Sequence, residues 1–240
     1  MYRKAVIFVV IVLFVLPVTS NAGFLDDLFK AVEKSTNGGL DENTIVSGLK
    51  EALEIGTGNA VRNVSKINGY FGNEIIKILM PEKIKKVADV LNRLGFEEEV
   101  NEFIISMNRA AEKAAPEAVS IFVGSIREMT FKDARRILDG GDTAATEYFR
   151  GKTSQRLFDA FKPIVSSAMN DVGVTRHYKK MMSQYEKLPF MEHINVELDT
   201  YVTDEALDGL FYMVGEEEKK IRKYPAARVT ELLQKVFENR

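Results

Sequence analysis

Glu218 and Arg222 stand one helical turn apart in a segment whose apolar residues, Leu207, Leu210, Phe211, Val214 and Ile221, recur at helical spacing. At about 100° per residue, Glu218 falls inside that apolar stripe and Arg222 sits at its edge. An acid turned inward beside a cation supports two chemistries. One is a buried ion pair in which each charge satisfies the other; the other is a carboxylate acting as acid or base, with the arginine orienting an anionic substrate. The ion pair is the simpler reading. A second constellation is Met107-Asn108-Arg109-Ala110-Ala111-Glu112, where Asn108 and Glu112 share one flank of a stripe and Arg109 lies opposite. Such groups either hydrogen-bond a neighbouring helix or line a groove, and the interhelical bond is the simpler. Tyr148, Phe149, Phe158, Phe161, Tyr178 and Tyr185, with Met181 and Met182, supply either a pocket wall or plain core. The candidate binding residues are therefore Asn108, Glu112, Glu218, Arg222, Tyr148 and Tyr178, with no catalytic residue and no metal ligand assigned.

Other chemistries fall away by composition and spacing. There is no cysteine, which removes disulfides, thiolate metal sites and thiol nucleophiles. His177 and His193 belong to no His-Glu-x-x-His pattern and read as surface or structural residues. Gly151-Lys152-Thr153 resembles the end of a phosphate loop, but Thr146 stands where the first glycine belongs and the flanks read as helix. No Gly-x-Ser-x-Gly elbow and no twelve-residue calcium loop occurs. No cofactor is implied. Thirty-three Lys and Arg against 35 Asp and Glu give a formal charge of −2, so no global cationic field exists to hold nucleic acid or anionic lipid, and only a local patch is left open.

The elements that must position these residues are helical. Of the 240 residues, 45% are apolar and 28% charged, the balance of a folded chain. Arg3 and Lys4 precede an unbroken apolar run from Ala5 to Leu16, and Ser20-Asn21-Ala22 follows with small residues at the peptidase positions. Residues 1–22 therefore read as a signal peptide cleaved before Gly23, and the mature chain as periplasmic; an uncleaved anchor is the competing reading. No membrane span is expected in residues 23–240, which carry a mildly acidic balance once Arg3 and Lys4 are removed.

Along that chain, apolar residues recur at three and four with strands scarce. A short opening helix runs from Phe24 to Val32, and a stripe from Ile45 to Ile67 places Gly56 at a close helix crossing. Ile75, Ile76 and Leu79 suggest a turn of helix interrupted at Pro81, and Gly95 a C-cap. Pro116 kinks or restarts the next helix, and Thr130 with Asp133 reads as a capping box. Asp142 caps a helix broken at Gly151 and restarted by Thr153 or Ser154, with Pro163 a kink. Ile194 to Val202 fits strand or helix, helix being favoured because a lone strand has no partner. Thr203 caps the helix of Glu218, and Pro225 begins the last. The expectation is one all-α, bundle-like domain of about ten helices over 23–240, with a two-bundle split near Gly140 as the alternative.

Several of these residue groups together resemble the bacterial family known as domain of unknown function 4197. They are Gly48-Leu49-Lys50-Glu51-Ala52-Leu53, Met107 to Glu112 with Ala115-Pro116, Asp133-Ala134 with Ile137-Leu138, Ala144-Ala145-Thr146 with Tyr148-Phe149, Thr203 with Ala206 to Phe211, Glu217-Glu218 with Ile221-Arg222, and Pro225-Ala226-Ala227-Arg228. Tyr224 stands where the pattern expects Asn. The resemblance implies an exported helical protein of no established activity and carries over no active site. Three functions are then open. The first is a non-enzymatic protein that binds a small apolar or amphipathic ligand, or a cell-envelope partner. The second is a carboxylate-based enzyme using Glu218 or Glu112 with Arg222. The third is a structural or assembly protein. Oligomeric state is not legible.

Overall fold

The computed structural model describes residues 42–171, 173–187, 196–224, 228, 230 and 236. The chain divides into Met1–Asp41 and Glu42–Arg240, and all the described residues belong to the second unit. The expected signal peptide and opening helix, His193, Ile194, and most of the last helix lie outside the described residues. Among those described, every regular element is helical: α1 (Glu42–Val64), α2 (Glu82–Arg93), α3 (Glu97–Ala114), a 3-10 turn (Ala115–Glu117), α4 (Ala118–Glu128), α5 (Phe131–Asp139), α6 (Ala144–Asp171), α7 (Val174–Tyr185) and α8 (Leu198–Lys223).

Local signals set most of these boundaries. α2 ends in a Schellman motif: Gly95 takes φ +84°, its N–H bonds the Asn92 carbonyl, and Phe96 N–H bonds Leu91. Pro116 lies in the 3-10 turn and separates α3 from α4. Thr130 accepts from Asp133 N–H while the Asp133 carboxylate accepts from Thr130 N–H, a complete capping box at the start of α5.

The all-helical class is as expected, but about ten helices is not what the described chain forms. Residues 65–76 make successive tight turns and 77–81 follow without regular structure, rather than a turn of helix, and Pro81 precedes α2 instead of interrupting it. α6 is continuous through Gly151 and Pro163. A mid-helix glycine costs only about 1 kcal/mol, which the packing of a long helix offsets. Pro163 is on the solvent side, as is Asp159, the residue whose carbonyl loses its partner to the proline. Thr203 is not a cap either, because α8 already begins at Leu198 and the Thr203 hydroxyl bonds back to the Asp199 carbonyl.

α6 and α8 form the centre. α6 packs against α3, α4, α5, α7 and α8, and α8 also packs on α1 and α3, so no division falls at Gly140. Phe122 of α4 stacks edge-on with Phe149 of α6 at 5.4 Å and with Phe211 of α8 at 6.1 Å, all three fully buried. Gly56 does mark a crossing: a Cβ there would touch Ile221 and Glu217 of α8. Gly209 makes a deeper notch in α8, since a Cβ would come 2.8 Å from the ring of Tyr70.

The two kinds of helical glycine should respond oppositely. Gly151→Ala meets nothing within 4 Å and should raise stability by about 0.5–1 kcal/mol. Gly209→Ala overpacks Tyr70 and should lower it by about 1–3 kcal/mol. Urea denaturation measures both; a Gly209→Ala protein as stable as the parent would contradict the packing of Tyr70 against α8.

Candidate functional site

The first four N–H groups of a helix have no partner inside it. At the start of α6, Ala144 N–H bonds the Gly141 carbonyl and Glu147 N–H bonds Thr143, leaving those of Ala145 and Thr146. Both go to Glu218: Ala145 N–H donates to Oε1 at 2.9 Å and Thr146 N–H to Oε2 at 2.9 Å, with the Thr146 hydroxyl adding a bond at 2.8 Å. Glu218 thus caps α6 from α8, placing a negative charge at the positive end of the helix dipole. The expected cap, Asp142, instead pairs with Lys223 at 2.6 Å.

The expected Glu218 to Arg222 pair forms. Arg222 donates to Glu218 Oε1 through Nε at 3.0 Å and Nη2 at 2.8 Å, and Nη2 also reaches the Ile137 carbonyl at the end of α5 at 2.7 Å. Arg228, whose burial the sequence reading missed, continues the chain of bonds to the carbonyls of Ile221 and Arg222 near the end of α8. Anion at a helix start and cations at two helix ends satisfy three termini together. A Pro-Ala-Ala-Arg run shortly after a long helix was the available signal for Arg228, since a basic residue there can fold back on the last carbonyls.

Asn108 and Glu112 do the same for residues 65–81. Glu112 accepts from the N–H of Tyr70 at 3.2 Å and Phe71 at 3.4 Å, and its other oxygen takes Arg109 at 2.5 Å. Arg109 in turn bonds Asn68, whose φ of 66° turns the chain. The Asn108 amide accepts from Ile78 N–H at 2.9 Å and donates to Ile78 C=O at 2.8 Å, as a neighbouring strand would. Two tyrosines complete the anchoring: Tyr70 donates to the Ala206 carbonyl at 2.6 Å and Tyr201 to the Leu79 carbonyl at 3.0 Å. The expected partner was a helix; the partner is an irregular segment, which periodicity does not reveal.

The candidate residues therefore divide among separate contacts. Glu218 and Arg222 join α5, α6 and α8; Asn108 and Glu112 join α3 to residues 65–81. Tyr178 packs on Phe103 of α3, with ring centres 5.7 Å apart. Tyr148 lines an open groove of about 560 Å³ with Asp133, Arg136, Glu147 and Lys152. Phe149 and Phe161 are core. The void beside Glu218 is about 20 Å³, too small for an organic ligand. His177 Nδ1 of α7 lies 3.1 Å from a Glu102 carboxylate oxygen of α3. Gly151-Lys152-Thr153 lies within continuous helix, so no phosphate loop exists there. Among the described residues, no group of three or more acidic or histidine side chains is placed to hold a metal, and no helix is long and apolar enough to cross a membrane.

Residues 65–81 carry what sequence reasoning misplaced. Ile67, read as the end of an apolar stripe, and Ile75 and Leu79, read as part of a turn of helix, are 79%, 67% and 59% exposed, while Tyr70, Ile76, Ile78 and Met80 of the same segment are buried. Inward-facing residues and bonded N–H groups hold the segment, and the aliphatic side chains project outward.

A family model described as a protein of unknown function, DUF4197, matches residues 39–238. Neither the curated proteins nor the solved structures contain a match to the chain.

Removing one member of a buried pair strands the other. Glu218→Ala should cost about 3–5 kcal/mol in urea denaturation, and a double-mutant cycle with Arg222→Met should show coupling; additive effects would argue against the pair. A second test is alkaline. Burial, then the Glu205 and Glu82 carboxylates, push the Tyr201 phenol up to about 12. Burial and Glu112 hold Tyr70 higher still. Folded pKa values above the ordinary value of about 10 mean that this stabilisation is complete below pH about 10 and is lost as pH rises through the folded values. Thermal melts should therefore fall between pH about 10 and about 12, with tyrosinate absorbance rising as the protein unfolds. Tyr201→Phe should flatten that fall, and an unchanged slope would count against the assignment.

Proposed function

The chain belongs to the DUF4197 family of proteins of unknown function, and we propose that it is an exported, non-catalytic binding protein of the cell envelope whose working surface is the segment 65–81. The observation that carries this reading is a contradiction within that segment. Its backbone is anchored by Glu112, Asn108, Tyr70 and Tyr201, yet it leaves Ile67, Ile75 and Leu79 in water. Seventeen residues without regular structure are an unusual length of connection inside a packed domain, and such segments are commonly functional. Covering one exposed aliphatic side chain is worth about 1.5–3 kcal/mol, so a partner that covered all three would gain usable affinity.

The charged n-region, the apolar run and Ser20-Asn21-Ala22 support export to the periplasm. The carboxylate-enzyme reading loses its motivation, because the oxygens of both Glu218 and Glu112 are taken up by internal donors on separate helix contacts. A small apolar ligand between Glu218 and Arg222 has no room in a void of about 20 Å³.

Site-specific crosslinking in intact cells tests the proposal. A photoreactive residue at Ile75 or at Leu79 should give an adduct with an envelope component, whereas one at Lys132, exposed on α5, should give none. Absence of any adduct at both Ile75 and Leu79, or recovery of the unprocessed protein from the cytoplasm, would overturn it.

A further inference from the structure

Charge decides what kind of partner segment 65–81 fits. Between residues 62 and 86 stand Arg62, Lys66, Lys77, Lys83, Lys85 and Lys86, opposed only by Glu74 and Glu82. Six cations against two acids make this window formally +4, in a chain that is −2 as a whole. Five of the six cations are exposed; Lys77, half-buried, lies over the Phe71 ring at 4.3 Å. Exposed aliphatic groups among basic side chains supply the two contributions that a peripheral protein needs at a bilayer: insertion into the acyl boundary and attraction to anionic headgroups.

We infer that segment 65–81 docks on a lipid surface bearing anionic headgroups, with Ile67, Ile75 and Leu79 entering the apolar boundary and the flanking lysines meeting the headgroups. This rests on the reading of that segment as the working surface. The groove that borders it, lined by Pro81, Glu82, Lys83, Val196, Glu197 and Tyr201, does not include Ile67, Ile75 or Leu79. Side chains that project outside that groove suit a deformable layer better than a partner's interlocking surface. A symmetric second copy is disfavoured, because a self-complementary interface would bring two basic segments together. Rigid anchoring helps, since the segment is already ordered before it binds and little is lost on docking. Since no described helix can cross a membrane, any such association is peripheral for the described residues.

The test is vesicle co-sedimentation of the processed protein recovered from the envelope of expressing cells. The vesicles are phosphatidylcholine alone, or phosphatidylcholine with about one-third phosphatidylglycerol. Each surface cation is worth about fivefold in partition at low salt. The protein should therefore bind the anionic vesicles at least about tenfold better than the neutral ones, and added salt should weaken that binding. Two variants should each lower it at least about tenfold without lowering the melting temperature: Ile67→Ser with Ile75→Ser and Leu79→Ser, and Lys66→Gln with Lys83→Gln and Lys86→Gln. No binding to anionic vesicles, equal binding to both kinds, or variants that bind like the parent would overturn the lipid assignment. If the serine variant instead abolishes dimerisation, or adduct formation with one envelope protein, while neither protein binds vesicles, the lipid inference fails and the docking surface stands. If the protein binds no vesicle, forms no dimer and gives no adduct, both readings fall.

Discussion

The carboxylate of Glu218 at the N-terminus of α6 is the contact on which the rest of the arrangement depends. A buried helix end leaves peptide groups that water cannot reach, and each one left unbonded costs as much as a lost hydrogen bond or more. Here the missing partners come from α8, more than seventy residues away in sequence. Arg222 answers the charge of Glu218 and at the same time bonds the end of α5, while Arg228 bonds the end of α8. The α5–α6 corner is therefore locked to α8 by charge-assisted bonds in an environment that excludes most water, where such bonds are strong and where either charge alone would be costly. That lock orients the two longest helices of the core, and Phe122, Phe149 and Phe211 close the space between them and α4.

The same economy governs residues 65–81. Without a ladder or a helix of its own, this segment obtains partners from Asn108 and Glu112 on α3 and gives the Tyr70 hydroxyl to α8. The polar residues that resemble catalytic equipment in sequence are thus occupied in holding backbone. What remains facing solvent is the unusual part: three aliphatic side chains on an anchored segment, in a stretch of sequence with six cations and two acids. Rigidity and exposure together are costly to maintain without a partner, which is why the functional argument turns on this segment rather than on the buried acids.

Much of this was legible in the chain. Apolar spacing marks α3, α5 and the bulk of α8, Thr130 and Asp133 announce their capping box, Gly95 its C-cap, and Gly56 the approach of another helix. The inward turn of Glu218 and its pairing with Arg222 follow from helical geometry alone, because residues four apart share a face. The errors share one physical cause, which is that local preference is weak beside packing. Gly151 looks like a break, yet a long helix packed along its length absorbs the cost of one glycine. Thr203 has the chemistry of a cap but lies inside a helix that begins earlier. Ile67 reads as the end of a stripe, and Ile75 with Leu79 as a turn of helix, because apolar spacing gives no sign that the helix has already stopped.

The chain by itself determined a helical class, the absence of thiol chemistry, an inward-facing acid beside a cation, and family membership. These depend on residue type and on contacts within about one turn of helix, both of which sequence spacing encodes directly. Tertiary structure alone decided which backbone groups Glu218, Glu112 and Asn108 would satisfy, and which apolar residues would remain in water. Those outcomes rest on partners tens to well over a hundred residues away, and the donor inventory of a side chain says how many bonds it must make without saying to whom.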